Sequence, residues 1–301
     1  MELPDFKNIR IDAIKNLYQP FGVSLDVLRL DLLHPHISGN KWFKLQNYLK
    51  AAQNENKTGI ITFGGAFSNH IVATAAACHK AGLQSIGIIR GEEPKELSHT
   101  LLQSKAFGME LYFISRKDYQ KKMIPVTLQA KFHFDNLLII NEGGYGIQGC
   151  NGAAEILNYC GKGNYSHLIT AVGTGTTLAG LVCNKSVEQH AIGISALKNA
   201  YSLQDEINML LPYHLQNKFE LIYDFHFGGY AKFKPELIEF MNWFYQQTAI
   251  PTDFVYTGKM FFALHQLVIN GHFSKNSRIL AVHTGGLQGN ASLPKDTLIF
   301  R

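Results

Sequence analysis

Short, almost wholly apolar runs alternate along this chain with segments whose apolar residues recur at helical spacing, and that alternation limits the fold more than any other feature. The apolar runs are Gly59–Phe63, Ser85–Ile89, Glu110–Ile114, Leu137–Ile140, His167–Val172, Ala191–Ser195, Leu221–Phe225 and Arg278–His283. Most lack the in–out alternation of a half-solvated strand, which points to strands covered on both faces, as in parallel sheets. Helix-period segments fall between them at Asn69–Ala81, His99–Phe107, Asn151–Tyr159, Leu203–Leu215, Pro235–Gln247 and Lys259–Asn270. Gly82, Gly108 and Gly161 follow closely on such segments, where a left-handed residue ends a helix at little cost. Repeated strand–helix–strand units predict an α/β protein with mainly parallel sheets. The strands outnumber what one small open sheet needs, so two lobes are expected, although periodicity alone does not place their boundary.

The 301 residues are 46% hydrophobic and 17% charged, enough for a large buried core. The net charge of +5 is scattered, which argues against a nucleic-acid partner. The densest basic group, Arg116, Lys117, Lys121 and Lys122, reads as a solvated helix face. Four cysteines form no CxxC pair and no metal-type spacing with histidine, and their scarcity fits a reducing compartment. The start of the chain lacks the basic and apolar regions of a signal peptide, and no apolar run approaches membrane-spanning length. A soluble, cytoplasmic protein with no metal and no membrane partner is expected.

Four stretches depart from what a plain core requires. In Ser38-Gly39-Asn40-Lys41, a lysine opens a helical stretch behind a Gly-Asn turn, at the helix end where the dipole disfavours a cation. A lysine that forms a Schiff base must lose its proton easily, and desolvation or a positive field achieves that. The bland alternative is a lysine reaching to solvent. In Gly64-Gly65-Ala66-Phe67-Ser68-Asn69-His70, a glycine turn carries a strand into a helix N-terminus whose free N–H groups suit an anion. An ordinary cap by Ser68 is the alternative there.

The third stretch, Gly173-Thr174-Gly175-Thr176-Thr177, again ends an apolar strand, and its amides and hydroxyls suit a phosphate. A dinucleotide site would require glycine at Leu178 and an acidic residue near Ser195, and a P-loop would require Gly-Lys-Ser/Thr. A monophosphate fits better. The fourth is the pair Val255-Tyr256-Thr257-Gly258-Lys259 and His283-Thr284-Gly285-Gly286, the second of which ends a strand on a glycine turn.

In this order the four stretches resemble the D-cysteine desulfhydrase / 1-aminocyclopropane-1-carboxylate deaminase family of fold-type II, tryptophan synthase β-like pyridoxal-phosphate (PLP) enzymes, over about Leu30 to Gly286. The resemblance implies that Lys41 holds the cofactor and moves the α-proton of the substrate. It implies that Ser68 to His70 bind the substrate carboxylate, with Asn69 at the cofactor's phenolic oxygen, and that Gly173, Thr174, Gly175, Thr176 and Thr177 take its phosphate. Tyr230 and Tyr256 would lie at the substrate, with Ser68 or Tyr256 as the residue that assists Lys41, and Thr257 and Thr284 would contact the cofactor. A smaller lobe of residues 48–154 would sit between two parts of a larger one, 1–47 and 155–301, and a homodimer is expected.

Within the family, Thr257 and Thr284 match the desulfhydrase branch, where the deaminase branch shows Glu and Leu. A carboxylate at the pyridine nitrogen makes the ring the stronger electron sink that opening a cyclopropane demands, whereas a hydroxyl suffices when a thiolate can depart. The expected activity is therefore β-elimination from a small amino acid such as D-cysteine. Ring-opening deamination and non-catalytic binding of a phosphorylated small molecule are the alternatives. Ser38, Trp42, Phe43 and Phe67 depart from the family pattern, and Trp42 and Phe67 are expected to narrow the pocket.

Overall fold

A computed structural model describes residues 4–37, 39–121, 123–129, 131–132, 134–161 and 164–300. Ser38 and Lys122 lie outside these residues. In chain order the strands are β1 (Ile11–Ile14), β2 (Ser24–Arg29), β3 (Gly59–Gly64), β4 (Gln84–Arg90), β5 (Glu110–Ile114), β6 (Leu137–Ile140), β7 (His167–Val172), β8 (His190–Ser195), β9 (Glu220–Ile222) and β10 (Arg278–His283). The α-helices are α1 (Asn40–Asn54), α2 (Asn69–Ala81), α3 (His99–Ala106), α4 (Arg116–Gln120), α5 (Val126–Gln129), α6 (Ile147–Ala154), α7 (Thr176–Asn184), α8 (Leu203–Asn208), α9 (Pro235–Thr248) and α10 (Thr257–Ile269).

The strands make two sheets, ordered β1-β2-β10-β7-β8-β9 and β5-β4-β3-β6. Only β1, paired with β2, runs antiparallel among the described residues. All four strands of the smaller sheet lie between Gln84's neighbour β3 and the end of β6, within residues 59–140, whereas the larger sheet draws on both ends of the chain. This is the α/β architecture that the apolar runs predict.

Local chemistry sets the element ends. Ser68 caps α2, its Oγ accepting from the Ile71 amide at 3.4 Å. The alanines Ala73 and Ala75 to Ala77 continue the helix, and Gly82 ends it at φ +69°. Differences from the periodic reading also have local causes. The β1–β2 hairpin is hidden in the sequence by its acidic and basic residues, which find partners inside the protein. Arg29 donates to both Asp31 oxygens (2.8 and 2.7 Å) and to Asp12 (2.8 Å), and the Tyr165 hydroxyl donates to Asp26 (2.8 Å). The segment after Leu203 breaks at Asn208 and resumes as a 3-10 turn over Tyr213–Leu215, behind Pro212. α6 starts early, at Ile147 behind Gly146, and tightens to 3-10 over Glu155–Tyr159. β9 is a short edge strand that stops at Ile222.

Helix α1 joins the two halves. Phe43 packs into the cluster of Leu168, Leu181 and Leu280 beneath the larger sheet. Leu45, Tyr48 and Leu49 pack on Ile60 and the α2 alanines beside the smaller one. Each sheet also has one point where successive connections turn in opposite directions, β3/β6 in the smaller and β10/β7 in the larger. A crevice forms at such points, beyond the carboxyl ends of the strands.

Candidate active site

The loops that leave β3, β6, β7 and β10 converge on one cavity of about 470 Å3, so both switch points open into the same space. Lys41 enters it from the first turn of α1. The backbone there is forced: Gly39 has φ +59°, and a Cβ on it would lie 2.0 Å from the Thr284 carbonyl oxygen. The Asn40 amide donates to that same oxygen at 3.3 Å, which ties the start of α1 to the loop after β10.

Lys41 Nζ donates to Asn40 Oδ1 at 2.8 Å, and Asn40 Nδ2 donates to Thr177 Oγ1 at 2.7 Å. Burial pushes the Lys41 ammonium down to about 8, with the Asp253 carboxylate pulling the other way. A second lysine with similar acidity is no rival. Lys259 is also pushed down to about 8 by burial, but its Nζ donates to the carbonyls of His226 (2.9 Å) and Gly229 (2.7 Å) and it does not line the cavity.

The N-terminus of α2 reaches the same cavity, with Ser68, Asn69 and His70 all lining it. The Thr62 hydroxyl donates to the Ile140 carbonyl (2.9 Å), so His70 Nε2, 2.8 Å from that hydroxyl, carries the proton. His70 Nδ1 is then an acceptor, and it is buried without a partner, as is Asn69 Oδ1. Burial, reinforced by Lys41 and Lys44, holds the His70 imidazolium well below the usual range, so the ring is neutral.

The loop Gly173–Thr177 leads into α7 with Gly175 at φ +78°, packed so closely that a Cβ there would lie 2.2 Å from Ile207 Cγ1. Gly173, Thr174, Gly175 and Thr177 line the cavity together with Thr284, Tyr230 and Tyr256. The two tyrosine rings meet edge to face at 6.0 Å. Burial raises the Tyr230 phenol to about 12 and Tyr256 well above its ordinary value, which keeps both hydroxyls protonated.

Two residues singled out by sequence lie off the cavity. Thr176 is fully buried in the first turn of α7, its Oγ1 3.1 Å from that of Thr174. Thr257 is fully buried as well: its hydroxyl donates to Asp253 Oδ1 (2.7 Å) and accepts from the Asp253 amide (2.8 Å). Asp253 also accepts the amides of Val255, Tyr256 and Thr257, each at 2.9 Å, and so caps α10. The expected narrowing of the pocket is likewise corrected. Trp42 and Phe43 point away from the cavity, Phe43 against Phe6 and Tyr159, while Phe67 is half exposed beside His99.

Three charged residues that sequence reasoning passed over do line the cavity. Lys44 is buried one helical turn after Lys41 and donates to the Gly143 carbonyl at 3.2 Å. Desolvation and the Lys41 charge hold its ammonium well below the ordinary value. Glu142 comes from the loop after β6, and Arg90 from the end of β4, its guanidinium over the Tyr119 ring at 5.8 Å. The spacing of Lys41 and Lys44, three residues apart on one helix face, is the signal that could have found the first.

A desolvated lysine, unpartnered acceptors on Asn69 and His70, and a glycine–threonine loop at a helix N-terminus together suit an aldehyde cofactor that carries a phosphate. The family model described as pyridoxal-phosphate dependent enzyme matches residues 10–285. The chain belongs to that family. A Pyrococcus furiosus protein, named provisionally as a 1-aminocyclopropane-1-carboxylate deaminase, is 31% identical over an alignment that spans 93% of this chain and 89% of the relative. The bifunctional D-cysteine desulfhydrase/1-aminocyclopropane-1-carboxylate deaminase of Arabidopsis thaliana, a mitochondrial protein, is 28% identical over 90% of this chain and 74% of its own length. The crystal structure of an ACC deaminase homologue superposes with a TM-score of 0.84 at 27% identity, covering 96% of this chain and 92% of that one. An O-ureido-L-serine synthase, at 13% identity and a TM-score of 0.70, shares the fold alone. The protein is thus a PLP-dependent enzyme of fold type II, in the D-cysteine desulfhydrase / 1-aminocyclopropane-1-carboxylate deaminase group. No helix among the described residues is long and apolar enough to cross a membrane.

Proposed function

We propose that this enzyme removes the β-substituent of a small amino acid, D-cysteine foremost, yielding pyruvate, ammonia and sulfide. The observation that carries the reading is the placement of the desolvated Lys41 amine in one cavity with the α2 N-terminus and the Gly173–Thr177 loop. PLP, when bound, supplies the electron sink for the charge left as the Cα–H bond breaks.

The remaining work belongs to the chain. The amides of Asn69 and His70, with the Ser68 hydroxyl beside them, bind the substrate carboxylate and fix the orientation of the Cα–H bond, the Ser68 amide being held by the Gly65 carbonyl at 3.0 Å. Gly173 to Thr177 hold the cofactor's phosphate, and the Lys44 amine supplies an N–H donor beside them. Lys41 Nζ, easily neutral and steered by Asn40, accepts the α-proton. Tyr256 and Tyr230, kept as neutral phenols, donate hydrogen bonds on the substrate side of the cavity.

Elimination is preferred over ring opening on the resemblance of Thr257 and Thr284 to the desulfhydrase branch; of the two, Thr284 lines the cavity, whereas the Thr257 hydroxyl is committed to Asp253. The proposed lobes are residues 1–47 with 155–301 and residues 48–154, a division supported by the confinement of the smaller sheet to residues 59–140. The test is a visible spectrum of the protein with PLP, for wild type and Lys41→Ala, followed by addition of D-cysteine or 1-aminocyclopropane-1-carboxylate. A Lys41-dependent band that shifts with D-cysteine as pyruvate and sulfide appear supports the reading. Release of 2-oxobutanoate from the cyclopropane substrate alone would replace elimination with ring opening, and absence of any band would overturn the assignment of Lys41.

A further inference from the structure

Away from the cavity wall, α6 and α7 pack side by side so closely that a Cβ on Gly180 would lie 2.6 Å from the Ala153 Cβ. At that contact two thiols meet, Cys150 Sγ and Cys183 Sγ, 3.9 Å apart. The proposed reaction uses neither. Cys150 is buried, and its Sγ lies 3.8 Å from the Leu210 carbonyl, toward which the thiol can also donate. Cys183, at the C-terminal end of α7, is half-buried and reachable from solvent. Its hydrogen bond with Cys150 draws the Cys183 thiol below its ordinary range. The other two cysteines differ: burial pushes Cys78 up to about 12 and raises Cys160 as well.

We propose that Cys150 and Cys183 form a modification site for hydroperoxides, with Cys183 as the attacking thiol and Cys150 as the resolving one. A low-pKa, accessible thiol next to a second cysteine is the arrangement that reversible thiol oxidation requires. In the first step the Cys183 thiolate attacks a peroxide oxygen. The O–O bond breaks, Cys183 becomes a sulfenic acid, and the leaving hydroxide takes a proton to become water. In the second step Cys150 sulfur attacks the sulfenic sulfur, the S–S bond forms, the S–O bond breaks, and the departing oxygen leaves as water with the Cys150 proton. Two thiols are thereby oxidised by two electrons, and one hydrogen peroxide is reduced to two waters.

The bond would staple the helix that follows the Gly143–Tyr145 loop to the helix that begins with the phosphate-binding loop. Those two loops already touch, since a Cβ on Gly143 would lie 2.8 Å from Thr174 Cγ2. Oxidation therefore stiffens the floor of the cavity without occupying it.

The experiment treats the PLP-loaded protein with a small excess of hydrogen peroxide, blocks residual thiols, and digests it without reductant. The expected result is loss of two of the four titratable thiols, a Cys150–Cys183 cross-linked peptide, and a melting temperature several degrees higher, all reversed by dithiothreitol. Cys183→Ser, a change at a half-buried position, is expected to abolish the cross-link and leave Cys150 reduced. In Cys150→Ser a sulfenic acid at Cys183 should persist long enough for dimedone to trap it. Unchanged thiols in the wild type, oxidation confined to Cys160, or irreversible oxidation of Cys183 with no cross-link would each overturn the proposal, whatever the enzyme's substrate proves to be.

Discussion

The carbonyl oxygen of Thr284 occupies the space where any side chain at position 39 would place its Cβ, so glycine alone fits beside the lysine-bearing turn. Gly39→Ala should strain a backbone held at φ +59°, at roughly 1–3 kcal/mol, in addition to the direct clash. The expected result is a melting temperature lower by several degrees and a weakened PLP absorption band, read by thermal denaturation and titration with the cofactor. A variant with wild-type stability and a normal band would show that the α1–β10 junction does not place Lys41.

Lys44→Met removes a buried amine donor whose acceptor is the Gly143 carbonyl, next to Thr174. Cofactor affinity should fall by at least about tenfold, equivalent to ~1.4 kcal/mol. Fluorescence titration with PLP measures this directly, and Lys41 should still give its band at saturating cofactor.

Lys41 should cost the cofactor-free protein stability. It titrates near 8 in the folded chain, against 10.5 when exposed, so below pH 8 folding buries a charge that the unfolded chain keeps in water. At pH 7, Lys41→Met is expected to be more stable than wild type by on the order of 1–3 kcal/mol. As pH rises from about 8 toward 10.5 the unfolded chain holds the extra proton, so wild-type stability climbs and the gap closes. Urea denaturation of both apoproteins across that range checks the sign.

Lys259→Met leaves the carbonyls of His226 and Gly229 without their donor in a buried setting, at a cost of about 1–3 kcal/mol. The turn they belong to carries Tyr230. KM should therefore rise more than kcat falls, and a variant with unchanged KM would separate Tyr230 from substrate binding.

Much of this was legible in the sequence because parallel strands buried on both faces are simply apolar. β5, β6, β7 and β10 were bounded by composition alone, and the glycine turns after β3, β7 and β10 announced where the chain must bend. The β1–β2 hairpin was not legible, since Asp12, Asp26 and Arg29 read as surface residues until Tyr165 and Asp31 are seen to receive them. Lys44, Arg90 and Glu142 escaped for a related reason. A single charged residue looks the same in sequence whether it faces solvent or a cavity, and only the topology that folds β3, β4 and β6 side by side distinguishes the two. Thr257 stands out in the sequence through its motif, but its hydroxyl answers to Asp253, four residues earlier.

The position of β10 also fixes an order of events during synthesis. This strand, made after every other strand of its sheet, hydrogen-bonds to both β2 and β7 in the interior of the larger sheet. The strands of the smaller sheet have all emerged long before, by residue 140. Until residue 283 appears, β2 and β7 have no common neighbour, and the Thr284 carbonyl that seats the Lys41 turn does not exist. A nascent chain therefore exposes no finished aldehyde trap, and the seat of the reactive lysine is assembled only once β10 and the loop after it have been made.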